Sequence, residues 1–169
     1  MRTLLLMRHA KSDWEADHGG DHDRPLNDRG TQSARLMGRV LSSLDRVPHL
    51  VISSTAVRAR TTAELAIEAG EWNSELRLDR SLYESGPAGV IEVAAGAPDV
   101  GRLMLVGHQP TWSALVRELT GNRVDMKTAS AAVIDFRIDG WDEIADVRGS
   151  LTSLLHPRQF LGSVWNPSQ

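Results

Sequence analysis

The stretch Leu4-Leu5-Leu6-Met7-Arg8-His9-Ala10 decides the fold. Four apolar residues run directly into an arginine and a histidine. A short, unbroken apolar run that ends on charge predicts a strand buried on both faces, as in a parallel sheet. Ligands of open α/β sheets bind beyond the carboxyl ends of the strands, so this strand would carry Arg8 and His9 to the site. Alone, it also fits a plain strand followed by two polar surface residues. The pattern recurs twice, however. Leu50-Val51-Ile52 leads into Ser53-Ser54-Thr55 and then Arg58, and Leu103-Met104-Leu105-Val106 leads into Gly107-His108-Gln109-Pro110.

Between these runs the spacing turns helical. Asn27 is placed to cap a helix that carries Ala34, Met37, Val40, Leu41 and Leu44 on one face, to about Asp45. Ser53-Ser54-Thr55 forms a capping cluster for a second helix, with Ala56, Ala59, Ala63, Ala66 and Ile67 on one face and Gly70 as its stop. Leu76-Arg77-Leu78 reads as a minor strand, Tyr83 to Pro87 as a loop, and Ala88 to Ala95 as weakly helical. Pro110 suits the start of a helix that buries Trp112, Leu115, Val116 and Leu119 and ends at Gly121. Ala131 to Ile138 is a further strand, and Glu143 to Val147 an edge strand paired antiparallel. Residues from His156, with two prolines and Trp165, read as a surface tail. Alternation of strands and helices predicts a three-layer α/β/α fold. Its sheet is mixed but mostly parallel, with an antiparallel edge strand. Without repeat or linker, residues 1–169 read as one domain.

Composition narrows the chemistry. The chain has 169 residues, 41% of them hydrophobic and 24% charged, enough for a real core. A net charge of −3 offers no whole-molecule pull toward nucleic acid or an anionic membrane, so any anion site is local. The absence of cysteine excludes a disulfide scaffold, a thiol nucleophile and thiolate metal sites, and fits the cytoplasm. The N-terminal apolar run is too short for a signal peptide, and no stretch approaches the roughly 20 apolar residues of a membrane helix.

If the three apolar strands are parallel neighbours, Arg8, His9, Arg58 and His108 converge on one rim. Four potential cations repel one another as packing, and a bound dianion relieves that. Phosphate fits, because guanidinium groups bind it bidentately and helix N-termini after Thr55 and Gln109 add amide donors. Serine chemistry would need a Gly-x-Ser-x-Gly elbow that is not present. A neutral histidine beside an arginine can instead accept the phosphoryl group, and a carbonyl bonded to its other nitrogen would fix the tautomer. His9, at the strand end, is the expected nucleophile. Arg8, Arg58 and His108 would hold the phosphoryl oxygens through transfer without a divalent metal.

Three strings, in order, carry a resemblance. Leu-Met-Arg8-His9-Ala, Ser53-Ser54-x-x-x-Arg58-Ala59-x-Thr61-Thr62-Ala63 and Val106-Gly107-His108-Gln109-Pro110 resemble the histidine phosphatase superfamily. Pro25-Leu26-Asn27-x-Arg29-Gly30 is similar to its first helix. Ala10-Lys11-Ser12-x-Trp14 with Asp23-Arg24-Pro25-Leu26 resembles the SixA-type phosphohistidine phosphatases more than the mutases. The resemblance implies a phosphoglycerate mutase-like fold, a phosphohistidine intermediate on His9, and no cofactor or metal. It implies a phosphate pocket from Arg8, Arg58 and His108, joined by Ser12 and Gln109. Glu84, in Leu82-Tyr83-Glu84, occupies the position of the family's proton donor; the other reading is a loop carboxylate in solvent. Departures are Ala10 for glycine, Thr55 for proline and Gln109 for asparagine, none of which removes a charge.

The expected activity is a metal-independent phosphatase, with phosphohistidine on a protein as substrate. The interval before the Gly107-His108 strand is short, which suits an open site. Small phosphoesters are the alternative, and a non-catalytic phosphate-binding module the reading from another class. Inorganic phosphate is the expected small ligand, and the expected assembly a monomer or weak dimer. His18 and His22 with Asp17, Asp21 and Asp23 raise a metal site, but Gly19-Gly20 opposes the helix that i, i+4 ligands need. The default is a solvated acidic loop flanking the pocket mouth. Trp14 either packs under that loop or walls the pocket.

Overall fold

The computed structural model describes residues 1–161. Eleven strands and α-helices follow one another among the described residues. The strands are β1 (Arg2–Arg8), β2 (Leu50–Ser53), β3 (Glu75–Leu78), β4 (Arg102–Gly107), β5 (Ala131–Phe136) and β6 (Ser150–Leu155). The helices are α1 (Asp28–Ser43), α2 (Val57–Gly70), the single turn α3 (Ser81–Glu84), α4 (Pro87–Ala95) and α5 (Thr111–Thr120).

One sheet holds all six strands in the order β3-β2-β4-β1-β5-β6. β1, β2, β3 and β4 pair parallel, whereas β5 pairs antiparallel with both β1 and the edge strand β6. Successive β1 residues feed opposite cores. Leu4 and Leu6 join Ile52, Leu103, Leu105 and Trp112 on the face covered by α4 and α5. Leu5 and Met7 join Val51, Met104, Ala34, Met37 and Ala63 on the face covered by α1 and α2. Both faces are therefore dry, and the apolar runs follow from that. Each fully buried Leu or Met contributes roughly 1.5–3 kcal/mol. The helices on the second face cross closely because Gly38 meets small residues of α2; a Cβ there would lie 2.2 Å from the carbonyl oxygen of Ala66.

Register aligns the ends that matter. Arg8 pairs with Gly107 and Ser53 with Val106, so His9, Ser54 and His108 leave the sheet at one level. Backbone bonds continue past the strands, from His9 N to Gly107 O at 3.0 Å and from Ser54 N to Val106 O at 2.9 Å. Asn27 caps α1 by accepting from Gly30 N at 2.8 Å.

Several local expectations are corrected. Glu143 to Val147 is not a strand. The Glu143 carboxylate accepts from Asp139 N and Gly140 N, both at 3.0 Å, and Trp141 is buried, which winds Trp141–Glu143 into a 3₁₀ turn. The edge strand falls instead on Ser150–Leu155. Ser53-Ser54-Thr55 does not supply the N-cap of α2: that position is Ala56, which has no side-chain acceptor, and the Ser54 hydroxyl accepts instead from Ala56 N at 3.2 Å. Beyond Gly70 the left-handed residue is Glu71, at φ 55°. Tyr83 and Glu84 belong to α3 rather than to a loop. The expected tail from His156 begins as a 3₁₀ turn, Pro157–Phe160, packed on α1 with Pro157 buried. Its remainder, including Trp165, lies outside the described residues. No helix among the described residues is long and apolar enough to cross a membrane.

Candidate active site

The carboxyl ends of β1, β2 and β4 bring the expected side chains together. The rings of His9 and His108 lie 5.2 Å apart, centroid to centroid. His9 is 8% exposed, and its Nδ1 lies 2.7 Å from the carbonyl oxygen of Ala10. A carbonyl can only accept, so Nδ1 carries the proton and Nε2 keeps its lone pair. Burial pushes the His9 pKa down to about 3. The Ala10 bond opposes that shift, and the charges of His108, Arg58 and Arg8 add to it. The ring is thus neutral throughout the physiological range, as a nucleophile requires.

His108 is held similarly. Burial first, then Arg58, lowers its pKa to about 4. Its Nε2 is 2.8 Å from the Ser54 hydroxyl, which accepts from Ala56 N at 3.2 Å. When Ser54 donates its proton to Nε2, Nδ1 is the protonated nitrogen of the ring. That Nδ1 is buried and has no partner among the described residues.

The arginines leave donors open in the same way. Arg8 donates through Nη1 to the Met126 carbonyl at 2.9 Å, and Arg58 through Nη1 to the Asp21 carbonyl at 2.7 Å. The Nε atoms of Arg8, Arg24 and Arg58 are buried without partners. Five buried side-chain nitrogens lack a partner among the described residues, and four belong to Arg8, Arg24, Arg58 and His108. The three guanidinium atoms are donors, and the imidazole nitrogen is one in the tautomer that accepts from Ser54. Orphaned buried polar groups are rare and costly, so a cluster of donors points to an acceptor-rich anion.

Three residues carry roles that sequence reading did not give them. Asp21, expected in solvent, accepts from Arg24 at 2.8 Å, Arg58 at 3.0 Å and the Tyr83 hydroxyl at 2.9 Å. The Arg24 bond, then Tyr83 and Arg58, against the opposing cost of burial, hold its carboxyl well below the usual carboxylate range. Asp21 is therefore a fixed anion and not a proton donor. Tyr83 sets its ring edge-on to His108 at 5.5 Å and to His22 at 4.9 Å. Arg24, 5% exposed, donates to the Ser12 hydroxyl and lies 3.6 Å over the Trp14 ring. The Asp23-Arg24-Pro25-Leu26 string was the one available signal for this network.

Other expected residues are placed differently. Ser12 is buried and engaged by Arg24. Gln109 turns to α5, where its Oε1 accepts from Ser113 N at 2.8 Å. Glu84 pairs with Arg80 at 2.6 Å, with 55% of its side chain exposed. Trp14 packs on Arg24 but stays 69% exposed. In the acidic loop, His18 Nδ1 lies 2.8 Å from the Gly20 carbonyl and His22 Nε2 lies 2.8 Å from the Thr55 hydroxyl. No cluster of three or more His, Cys, Asp or Glu suited to a metal ion occurs among the described residues.

Known proteins share this plan. The family model of the histidine phosphatase superfamily, branch 1, matches residues 4–87. An uncharacterized protein of Mycobacterium tuberculosis is 35% identical over 164 residues, covering 90% of this chain and 100% of its own. A solved structure from Nakamurella multipartitia, assigned as phosphohistidine phosphatase SixA, superposes with a TM-score of 0.80 at 28% identity, over 92% of this chain and 96% of that one. Another so assigned, from Agrobacterium tumefaciens, gives 0.79 at 27% identity, over 92% and 98%. The chain belongs to the histidine phosphatase superfamily and has the phosphoglycerate mutase-like fold of its SixA-type members.

Proposed function

We propose that this chain removes phosphate from phosphohistidine in a protein, through a phosphohistidine intermediate on His9. Phosphatase activity follows from the family; the protein substrate and the residue roles are this reading. The observation that carries it is the pairing of a neutral His9 Nε2 with the orphaned donors of Arg8, Arg58 and His108. Those donors would take the phosphoryl oxygens, and their charge would balance the group as it moves.

In the first step His9 Nε2 forms a bond to phosphorus as the substrate's P–N bond breaks; the bonding pair stays on the leaving nitrogen, and that imidazole departs neutral because its other ring nitrogen already carries a proton. In the second, water forms a P–O bond as the P–Nε2 bond breaks. The proton that water gives up stays on a phosphate oxygen, the P–Nε2 electron pair returns to His9, and inorganic phosphate leaves. An alkyl ester would demand a positioned acid for its alkoxide. Asp21 stays ionised, and Glu84 would have to leave Arg80 to serve as that acid. An imidazole leaving group tolerates this arrangement, which supports phosphohistidine over small phosphoesters.

The test compares a phosphohistidine peptide with an alkyl phosphate, using wild type and Glu84→Gln. Faster turnover of the peptide, little changed by the substitution, is expected. An alkyl ester turned over faster, with a loss of about 10²-fold in Glu84→Gln, would make this a phosphoester enzyme with Glu84 as acid.

A further inference from the structure

A second basic feature adjoins the His9 pocket. On the other side of Arg8 lies a groove of about 840 Å³ between α1 and the 3₁₀ turn at Pro157–Phe160. Seven Arg or Lys side chains line it and no Asp or Glu does. The protein as a whole is acidic, at −3, so this is a local concentration of charge. Arg35 has its carboxylate on α2, in Glu68, and Lys127 has Asp125. Lys11, Arg29, Arg39 and Arg158 have no ion-pair partner among the described residues, and the stretch 162–169 contains no acidic side chain. The Nε of Arg39 is the fifth of the buried, partnerless nitrogens. A concave surface of one sign focuses its field and attracts the opposite charge.

The spacing of the cations says what kind of anion fits. Arg29 and Arg39 stand ten residues apart on α1, a rise of about 15 Å. The phosphoryl group itself is served by the His9 pocket, and one small monoester has no further charge to spread over such a distance. An extended peptide covers it in roughly four to five residues. Leu161, 67% exposed, adds apolar surface against which a peptide can pack. Because Arg8 lines both sites, one chain can present its phosphorylated residue to His9 and its flank to α1.

We propose that this groove docks an acidic segment of the phosphorylated protein substrate, with carboxylates set against Lys11, Arg29, Arg39 and Arg158. The inference rests on the phosphoprotein reading above, and names the partner's charge and extent.

The experiment uses fluorescence anisotropy with a labelled Glu-rich pentapeptide, its Gln counterpart and inorganic polyphosphate as probes. Wild type should bind the Glu peptide roughly tenfold more tightly than the Gln peptide at low salt, with the difference shrinking as salt rises. The triple variant R29A/R39A/R158A should erase the difference while keeping kcat/KM for an aryl phosphate within about twofold. Arg158→Glu alone, on an exposed turn, should weaken Glu-peptide binding and provides the readout if the triple variant misfolds. Phosphohistidine peptides with acidic flanks should then show higher kcat/KM than neutral ones in wild type only. Equal binding of Glu and Gln peptides by wild type would overturn the inference. So would tight polyphosphate binding lost in the variants with no Glu preference, which would make this a small-polyanion site. Loss of phosphohistidine turnover with Glu preference intact would strike the catalytic reading instead.

Discussion

Asp21 grips Arg58 twice: a carboxylate oxygen 3.0 Å from Nη2, and the main-chain carbonyl 2.7 Å from Nη1. Two of five guanidinium N–H groups are thereby committed to the loop, and Nε is left buried and open. The loop thus holds the arginine from one side and aims its remaining donors elsewhere. Asp21→Asn should lower kcat/KM for an aryl phosphate by about tenfold or more and weaken vanadate inhibition in parallel. Tighter vanadate binding in the variant would show instead that the carboxylate competes for the anion site.

His9→Ala should abolish turnover and leave the urea midpoint close to that of wild type. A phosphoenzyme trapped from wild type should be acid-labile and base-stable, as a phosphoramidate is. Retention of most activity in His9→Ala would remove this residue as nucleophile.

The two lowered histidine pKa values set a pH dependence of stability. Unfolded imidazoles take up protons near 6.5, whereas His108 and His9 in the fold do so only near 4 and 3. Between those limits the unfolded chain binds more protons, so stability rises with pH. Their contribution is complete above the ordinary imidazole pKa and falls away as pH drops from 6.5 toward 4. Urea midpoints should therefore be lower at pH 5 than at pH 7.5, and His9→Asn should flatten the change. A midpoint that does not move between those two pH values would contradict neutral burial of both rings.

Gly38 tests the seam between α1 and α2. A methyl group there meets the Ala66 backbone at 2.2 Å, and backbone cannot swing aside as a side chain can. Gly38→Ala should destabilise the protein by roughly 1–3 kcal/mol in urea titrations. An unchanged midpoint would mean that the two helices separate freely.

On the proposed reading guanidinium and imidazole donors hold the phosphoryl group, so EDTA should leave activity intact while phosphate and vanadate inhibit. Activity lost in EDTA and restored by a divalent ion would refute this expectation.

How much could be read beforehand depends on how local the cause is. Leu4 to Met7 and Leu103 to Val106 announce themselves because strands buried on both faces carry unbroken apolar runs. Asn27 is equally legible, since its cap bond reaches only to Gly30. Asp21 is legible only in part: Arg24 stands three residues on, but Arg58 and Tyr83 lie 37 and 62 residues away, and only the fold brings them to its carboxylate. Tyr83 and Glu84 are neighbours on α3, about 100° apart around the axis, so bringing one ring to His108 turns the other side chain outward to Arg80. The half-exposed edge strand Ser150–Leu155 lacks the apolar run of a central strand, so its sequence does not stand out from that of Glu143–Val147.

The bond from His9 Nδ1 to the Ala10 carbonyl has a stereochemical outcome. It leaves the ring one nitrogen with which to meet phosphorus. A route that passes twice through that nitrogen inverts phosphorus on arrival and inverts it again on departure. An isotopically chiral phosphoryl group carried to an acceptor alcohol should therefore emerge with its original handedness, whereas direct attack by the acceptor would yield the mirror image.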